Sequence, residues 1–146
     1  MKSSPPIKNY MIDHPYTIDY LASASSAEKI MNAHRIRHLP VVDGKTALGM
    51  ISDRDVALAR QRLKDKKFDG AVSVKEIGFE EDCIVDENEP LDVVARKLSR
   101  QKLDAVIVVR DKMVVGIFTA VDATRLLADL FHTHGETKGL WATLFG

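Results

Sequence analysis

Short apolar runs and helix-like spacings alternate along the chain, and they follow the same order twice. The first copy predicts a strand, a helix, two hairpin strands and a second helix, at residues 16–18, 25–34, 39–42, 47–51 and 53–63. The second copy predicts the same order at residues 83–85, 90–99, 105–109, 114–118 and 120–130. A short helical turn is expected ahead of each copy, at residues 7–11 and 74–77. β-Branched and aromatic residues favour these strands, and apolar residues three and four positions apart favour the helices.

Turn and cap signals mark the ends of the predicted elements. Ser25 and Glu28 have the spacing of a capping box, in which a hydroxyl and a carboxylate bind free backbone N–H groups at a helix start. Asp43-Gly44 is a strong hairpin signal, and Asp111-Lys112 takes its place in the second copy. Pro90 suits the first turn of a helix, because its missing N–H would have no intrahelical partner there.

The clearest repeat is a seven-residue stretch, Gly-Met-Ile-Ser-Asp-Arg-Asp at 49–55 and Gly-Ile-Phe-Thr-Ala-Val-Asp at 116–122. The two stretches lie 67 positions apart, and the offset holds without a gap back to Ile7 and Val74. A period of this size indicates two supersecondary units that bury a face against each other. The expected class is α/β (α+β). A three-stranded sheet with two helices cannot cover both its faces alone, so the two copies are expected to pack together.

The repeat also predicts the domain boundaries. The expected units are an N-terminal arm with the first copy, a charged linker, the second copy and a C-terminal tail, at residues 1–63, 64–73, 74–131 and 132–146. The tail has no counterpart after the first copy. Its apolar stretch at 140–145 is expected to dock on the domain or on a partner chain.

Composition and charge narrow the possible functions. Of the 146 residues, 45% are apolar, and 21 basic residues balance 21 acidic ones. A neutral chain has no general electrostatic attraction to nucleic acid or to an anionic membrane, so any anion site must be local. No apolar run reaches the length of a membrane span, and the start has no signal-peptide pattern. A single cysteine fits a reducing compartment, so a cytoplasmic protein is expected.

The repeated stretch has two possible roles. A hydroxyl at the start of a helix can donate to a phosphate oxygen where free N–H groups already favour an anion, and an aspartate one turn later can bind a ribose diol. Together these two groups would recognise a nucleotide. The same residues, Ser52 with Asp55 and Thr119 with Asp122, also fit capping boxes with aspartate in place of glutamate, and that signature is common.

Residues 30–55, which read IMNAHRIRHLPVVDGKTALGMISDRD, resemble a CBS domain, named for cystathionine β-synthase. Residues 98–122 resemble a second and weaker copy, in which Pro40 becomes Ile107 and the pair Arg37-His38 becomes Asp104-Ala105. The resemblance covers about residues 7–130. It implies two pseudo-symmetric CBS repeats packed as one Bateman module, which commonly binds adenosine nucleotides between its copies and often associates into a flat dimer.

The resemblance also implies the ligand-binding positions. Ser52 and Thr119 match the hydroxyl that contacts phosphate, while Asp55 and Asp122 match the ribose-binding aspartate. The positions that line the adenine pocket, on the first strand and at the start of the second strand of each copy, are Thr17, Ile18, His38, Leu39, Pro40, Ile84, Val85, Asp104, Ala105 and Val106.

Two unequal sites are expected, because Arg54 matches a basic position near the phosphates whereas the second copy has Val121 there. The site around Ser52, Arg54 and Asp55 is therefore expected to suit a charged phosphate tail better. Arg35, Arg37 and His38 could add charge to it, or they could be a solvated helix end.

Other candidate chemistry is weaker. Histidines at 132 and 134 with Glu136 suggest a metal site, but no further strong ligand stands nearby and a polar turn is the simpler interpretation. Cys83 has no basic neighbour in sequence to activate it, so a packing role is expected. No nucleophile–base pair or phosphate-binding loop appears, so no enzyme activity and no catalytic cofactor are expected.

The leading hypothesis is a regulatory sensor of AMP, ADP or ATP that forms a homodimer and acts on an effector protein. The alternative is a structural interaction module that assembles through the CBS pair and the tail. A third possibility is an enzyme that turns over a bound nucleotide.

Overall fold

The computed structural model describes residues 4–70 and 72–133. A 3-10 helix at Ile7–Asn9 comes first. The remaining elements of the first half are β1 (Ile12–Asp13), β2 (Ile18–Asp19), α1 (Ala24–His34), β3 (His38–Asp43), β4 (Thr46–Ser52) and α2 (Asp53–Phe68). Those of the second half are α3 (Val74–Ile77), β5 (Ile84–Asp86), α4 (Leu91–Gln101), β6 (Ala105–Arg110), β7 (Met113–Thr119) and α5 (Ala120–Thr133).

Each repeat contains three strands in the same arrangement. β2 runs parallel to β3, which pairs antiparallel with β4; β5, β6 and β7 repeat this order. The two three-stranded halves join into one sheet where Thr46 of β4 pairs with Met113 of β7. The predicted α+β class with two equivalent repeats is therefore confirmed, while β1 is a strand that the sequence pattern did not indicate.

The start of α1 differs from the prediction. Its cap is Ser23, whose Oγ accepts a hydrogen bond from the Ser26 backbone N–H at 3.1 Å, and the helix begins at Ala24. The expected capping box of Ser25 and Glu28 is wrong, because Ser25 already lies inside the first turn. Glu28 instead points to Arg60 on α2 and binds it through both carboxylate oxygens.

Each repeat has its own hydrophobic core, and each core contains a residue from the segment that precedes the first strand of the other repeat. Ile7, from the start of the chain, is fully buried in the second core with Val94 and Phe118. Val74, at the matching position of the second repeat, is fully buried in the first core with Met31. Each core is therefore completed by a residue from the other repeat.

The backbone shows the same exchange beside the repeated seven-residue stretch of each copy. β1 pairs antiparallel with β7, and Asp13 lies opposite Gly116. In the matching place, Glu80 exchanges backbone hydrogen bonds of 2.8 and 2.9 Å with Met50, next to Gly49. The two glycines of the repeated stretch thus lie where a segment of the other repeat crosses the sheet.

The stretch from residue 64, predicted as part of a linker, packs on the first repeat. α2 is kinked at Lys64, where φ is 61° and ψ is 155°, and it then continues for one more turn. That turn places Phe68 fully buried in the first core. The guanidinium of Arg60 lies 4.2 Å from the centre of the Phe68 ring. The domain boundaries themselves stay predictions.

The predicted docking of residues 140–145 lies outside the described residues, as do His134 and Glu136, two of the three residues of the suggested metal site. Within 4–70 and 72–133, no cluster of His, Cys, Asp and Glu has the makings of a metal site. None of the described helices is both long enough and apolar enough to cross a membrane.

We expect Gly49→Ala to destabilise the protein by about 1–3 kcal/mol, the usual effect of overfilling a packed site. The added methyl group would overlap the Glu80 carbonyl oxygen and lie 2.6 Å from Phe79 Cδ2. Gly116→Ala is the matched variant. Its closest neighbour is the end of the flexible Met11 side chain, so a smaller loss is expected. Urea unfolding of both variants measures this difference, and equal stability of Gly49→Ala and wild type would contradict the crossing.

Candidate functional site

Two clefts lie at the seam between the repeats, and they are related by the same 67-residue offset. The larger has a volume of 410 Å³ and is lined by Ile12, His14, Pro15, Tyr16, Arg35, Ile36, Arg37, His38, Asp104, Ile117, Thr119, Ala120 and Val121. The smaller has a volume of 190 Å³ and is lined by His38, Met50, Ser52, Arg54, Asp55, Glu80, Cys83, Lys102, Leu103, Asp104 and Ala105. Tyr16 in one corresponds to Cys83 in the other.

Each cleft combines parts of both repeats. The larger cleft joins the end of α1, at Arg35, to the start of α5 behind Thr119. The smaller joins the residue that ends α4, Lys102, to the start of α2 behind Ser52. Arg35 and Lys102 both adopt the left-handed conformation with φ of 54°, which is uncommon for a residue other than glycine. After this turn the chain continues into β3 in the first repeat and into β6 in the second.

The repeated stretch forms a complete capping box in both copies. Asp55 N–H donates to Ser52 Oγ at 3.1 Å, and Ser52 N–H donates to Asp55 Oδ2 at 2.9 Å. The Thr119–Asp122 pair makes the same bonds at 3.0 and 2.9 Å. A hydroxyl that accepts one hydrogen bond keeps its own proton to donate, and a carboxylate keeps a second oxygen. Both pairs therefore cap their helices, and in each pair the hydroxyl proton and the second carboxylate oxygen can still form hydrogen bonds.

A family model described as the CBS domain matches residues 7–62 and again residues 74–129. The chain belongs to the CBS domain family. It is 35% identical over 122 residues to an L-aspartate semialdehyde sulfurtransferase of Methanocaldococcus jannaschii, a match that covers 82% of the chain and 23% of that enzyme. The chain thus spans less than a quarter of this curated relative.

Solved structures show the same CBS-pair architecture. AcuB from Vibrio cholerae superimposes with a TM-score of 0.78 at 27% identity, covering 92% of this chain and 98% of that one. The CBS domain pair of protein MJ0100, in complex with 5′-methylthioadenosine and S-adenosyl-L-methionine, gives 0.73 at 34% identity, covering 84% and 98%.

The predicted ligand positions of the CBS pair divide into two groups in the structure. Some line a cleft: the larger contains Arg37 and Thr119, the smaller contains Ser52, Arg54, Asp55 and Ala105, and His38 and Asp104 line both. The side chains of the others line neither cleft. Ile18, Leu39, Pro40, Val85 and Val106 are buried, Ile84 is half-buried, and Thr17 is exposed. Asp122 is half-buried, with Oδ1 3.5 Å from Arg125 Nη1, and does not line the larger cleft.

The cleft wall also contains residues that the sequence reasoning did not assign to the site. Tyr16 immediately precedes the predicted adenine positions, and its ring stacks on His34 with centroids 3.8 Å apart. Lys102 and Glu80 line the smaller cleft. The signal for Lys102 was available, because it matches Arg35 at the 67-residue offset.

The charges are distributed differently from the sequence-based expectation. Arg35 and Arg37 do not lie with Ser52 and Arg54; they line the larger cleft, beside Thr119. The reason is the composite construction, which sets the helix end of one repeat against the repeated stretch of the other. Among the described lining residues, the larger cleft has two guanidinium groups and one carboxylate, and the smaller has two cations and three carboxylates.

Burial changes the acid–base behaviour of two cleft residues. Desolvation lowers the pKa of His38 below its ordinary value of 6.5, and Arg37 lowers it further, against opposing effects from Asp104, Asp53 and Asp55. His38 is therefore neutral at pH 7. Desolvation raises the pKa of Cys83 to about 12, with Glu80 adding to the effect, so this thiol is not a nucleophile at neutral pH.

We expect the free energy of unfolding to decrease as the pH falls below 6.5, because the unfolded chain then binds a proton at His38 that the folded chain resists. In His38→Gln this part of the pH dependence should disappear. His14→Gln is the control for replacing a histidine by glutamine, since that side chain is 94% exposed. Urea unfolding at a series of pH values measures the slopes; identical slopes for wild type and His38→Gln would refute the assignment.

Proposed function

We propose that this CBS pair is a regulatory module whose larger cleft binds an adenosine nucleotide, AMP, ADP or ATP. The observation that carries the proposal is the meeting of Arg35 and Arg37 from one repeat with Thr119 and the start of α5 from the other, around one cavity of 410 Å³. Ligand pockets typically have volumes of about 300–1,000 Å³. The cleft is therefore large enough for a nucleoside with a phosphate group.

The chemistry of the wall suits the two ends of such a ligand. The N–H groups of an arginine guanidinium match the oxygens of a phosphate, and the free backbone N–H groups at the start of a helix favour an anion. Ile12, Pro15, Ile36 and Ile117 offer an apolar surface for a base. We expect the phosphate to lie near Thr119 and Arg37, with the adenine on the apolar side.

The smaller cleft is a poorer candidate for a polyphosphate. Its volume is 190 Å³, below the usual range for ligand pockets, and its carboxylates outnumber its cations. An uncompensated negative charge opposes a phosphate tail. This supports the larger cleft as the nucleotide site, in place of the one around Ser52, Arg54 and Asp55 that the sequence favoured.

The relative MJ0100 supports the ligand class. Its CBS domain pair, 34% identical to this chain, was solved with two adenosine-containing compounds, 5′-methylthioadenosine and S-adenosyl-L-methionine. Neither carries a phosphate, so the adenosine part is the shared feature. The proposal of a phosphate-bearing ligand for this chain rests on its own arginines.

The composite cleft also supplies a regulatory mechanism. A ligand that contacts both repeats biases their relative packing only by its differential affinity for two arrangements. An effector protein, or the second chain of a homodimer, would respond to that shift. We propose regulation rather than catalysis, because the thiol among the described cleft residues, that of Cys83, stays protonated at neutral pH.

One observation favours the alternative, a purely structural interaction module. Both capping boxes are complete, so Ser52, Asp55, Thr119 and Asp122 already have a structural role without a ligand. The two functions differ in a simple respect, which is saturable binding of a nucleotide.

We expect calorimetric titration of AMP into the nucleotide-free protein to show one saturable site. Arg37→Ala should weaken it by about tenfold or more, since hydrogen bonds to charged groups contribute about 1.5–3 kcal/mol and each ~1.4 kcal/mol is tenfold in affinity. Arg54→Ala is the matched control, because this exposed arginine lines the smaller cleft. Its affinity should equal that of wild type.

Two results would contradict the proposal. An absence of binding by AMP, ADP and ATP alike would leave the capping boxes as structural elements and support the interaction module. Loss of binding in Arg54→Ala with no change in Arg37→Ala would move the site to the smaller cleft.

A further inference from the structure

An apolar groove lies open between α4 and α5 of the second repeat. Its volume is 250 Å³, and its walls include Leu91, Ala95, Phe118, Leu127 and Leu130. Among the described residues, Leu127 is 54% exposed and Leu130 is 40% exposed. Two leucines on one face of a helix at this exposure indicate a surface that another apolar group covers.

The first repeat shows what covers the equivalent groove between α1 and α2. α2 kinks at Lys64, and its last turn inserts Phe68, which is fully buried. Arg60 lies over the Phe68 ring and forms a two-pronged ion pair with Glu28 across the groove. A side chain from beyond the kink, with a charged cover above it, closes the first repeat.

The second repeat has different residues at each position that matches this closure. Leu127 stands where Arg60 would be, and Ala95 stands where Glu28 would be, so the charged cover is replaced by apolar groups. The position that matches Phe68 is Gly135, which has no side chain to insert. The groove is therefore more apolar than its counterpart and needs a different apolar segment to fill it.

We propose that the C-terminal segment 140–145 of the same chain docks in this groove and closes the second repeat as Phe68 closes the first. This segment carries two leucines, Trp141 and Phe145. α5 extends to Thr133, and the next seven residues can span about 23 Å at ~3.3 Å each. Leu127 lies only about 9 Å back along the helix axis, at ~1.5 Å per residue, so the segment reaches it easily.

The N-terminal arm borders this groove but holds only one edge of it. Pro5 O accepts a hydrogen bond from Leu91 N–H at 2.8 Å, and Ser4 Oγ accepts one from Asp92 N–H at 3.0 Å. In the first repeat, a single stretch both leaves α2 and leads into α3. In the second repeat, Ser4 and Pro5 of the N-terminal arm bind the start of α4. The side of the groove formed by α5 is therefore open to the tail.

Trp141 is the only tryptophan in the chain, so its fluorescence in the full-length protein reports directly on the tail. We expect a short-wavelength emission maximum and weak quenching by acrylamide, both independent of protein concentration. Leu127→Arg should shift the emission to longer wavelength and increase quenching several-fold. Leu58→Arg is the matched control, a leucine of α2 with 59% exposure, and it should leave both unchanged.

A second variant keeps the test valid if one substitution perturbs folding. Ala95→Glu, at an exposed position, should have the same effect as Leu127→Arg, and combining the two restores the pairing seen between Glu28 and Arg60. The proposal is overturned if Trp141 in wild type emits as in urea, or if Leu127→Arg and Ala95→Glu match the control. If the weak quenching of Trp141 is lost on dilution of the protein, the proposal is also overturned, because the tail of a second copy would then occupy the groove.

Discussion

The exchange of leading segments between the two repeats is the constraint on which the rest of the structure depends. Ile7 lies in the second core and Val74 lies in the first, so each core contains a residue from the other repeat. Burying a side chain of this size contributes about 1.5–3 kcal/mol. The two repeats must therefore fold together. The same crossing places Ile12 beside Ile117 in the wall of the larger cleft and Glu80 beside Met50 in the wall of the smaller one.

The site follows from this exchange rather than from either repeat alone. Because the repeats cross, the left-handed end of α1 at Arg35 faces Thr119, and that of α4 at Lys102 faces Ser52. The two clefts are built from matching elements of the repeats but have different side chains. Differences such as Tyr16 against Cys83, and Arg37 against Asp104, accompany their different volumes and charges.

Much of this was predictable from local sequence, and the failures share one physical cause. Hairpins, helices and both capping boxes of the repeated stretch depend on neighbours within a few residues, and the 67-residue offset aligned the two copies. The grouping of Arg35 and Arg37 with Ser52 was wrong because it assumed that residues of one repeat share one cleft. Likewise, the charged residues around Phe68 predicted a linker, whereas the Phe68 side chain is buried in the first core. The lowered pKa of His38 depends on a position between two clefts that no local pattern reveals.

We expect one adenosine nucleotide to bind where the two repeats meet, in the larger of two unequal clefts. A crystal structure of the protein grown with AMP is the most direct test. We expect a single nucleotide with its phosphate beside Thr119 and Arg37 and its base against Ile36 and Ile117. A nucleotide held only beside Ser52 and Arg54, or at a site that contacts one repeat alone, would contradict it.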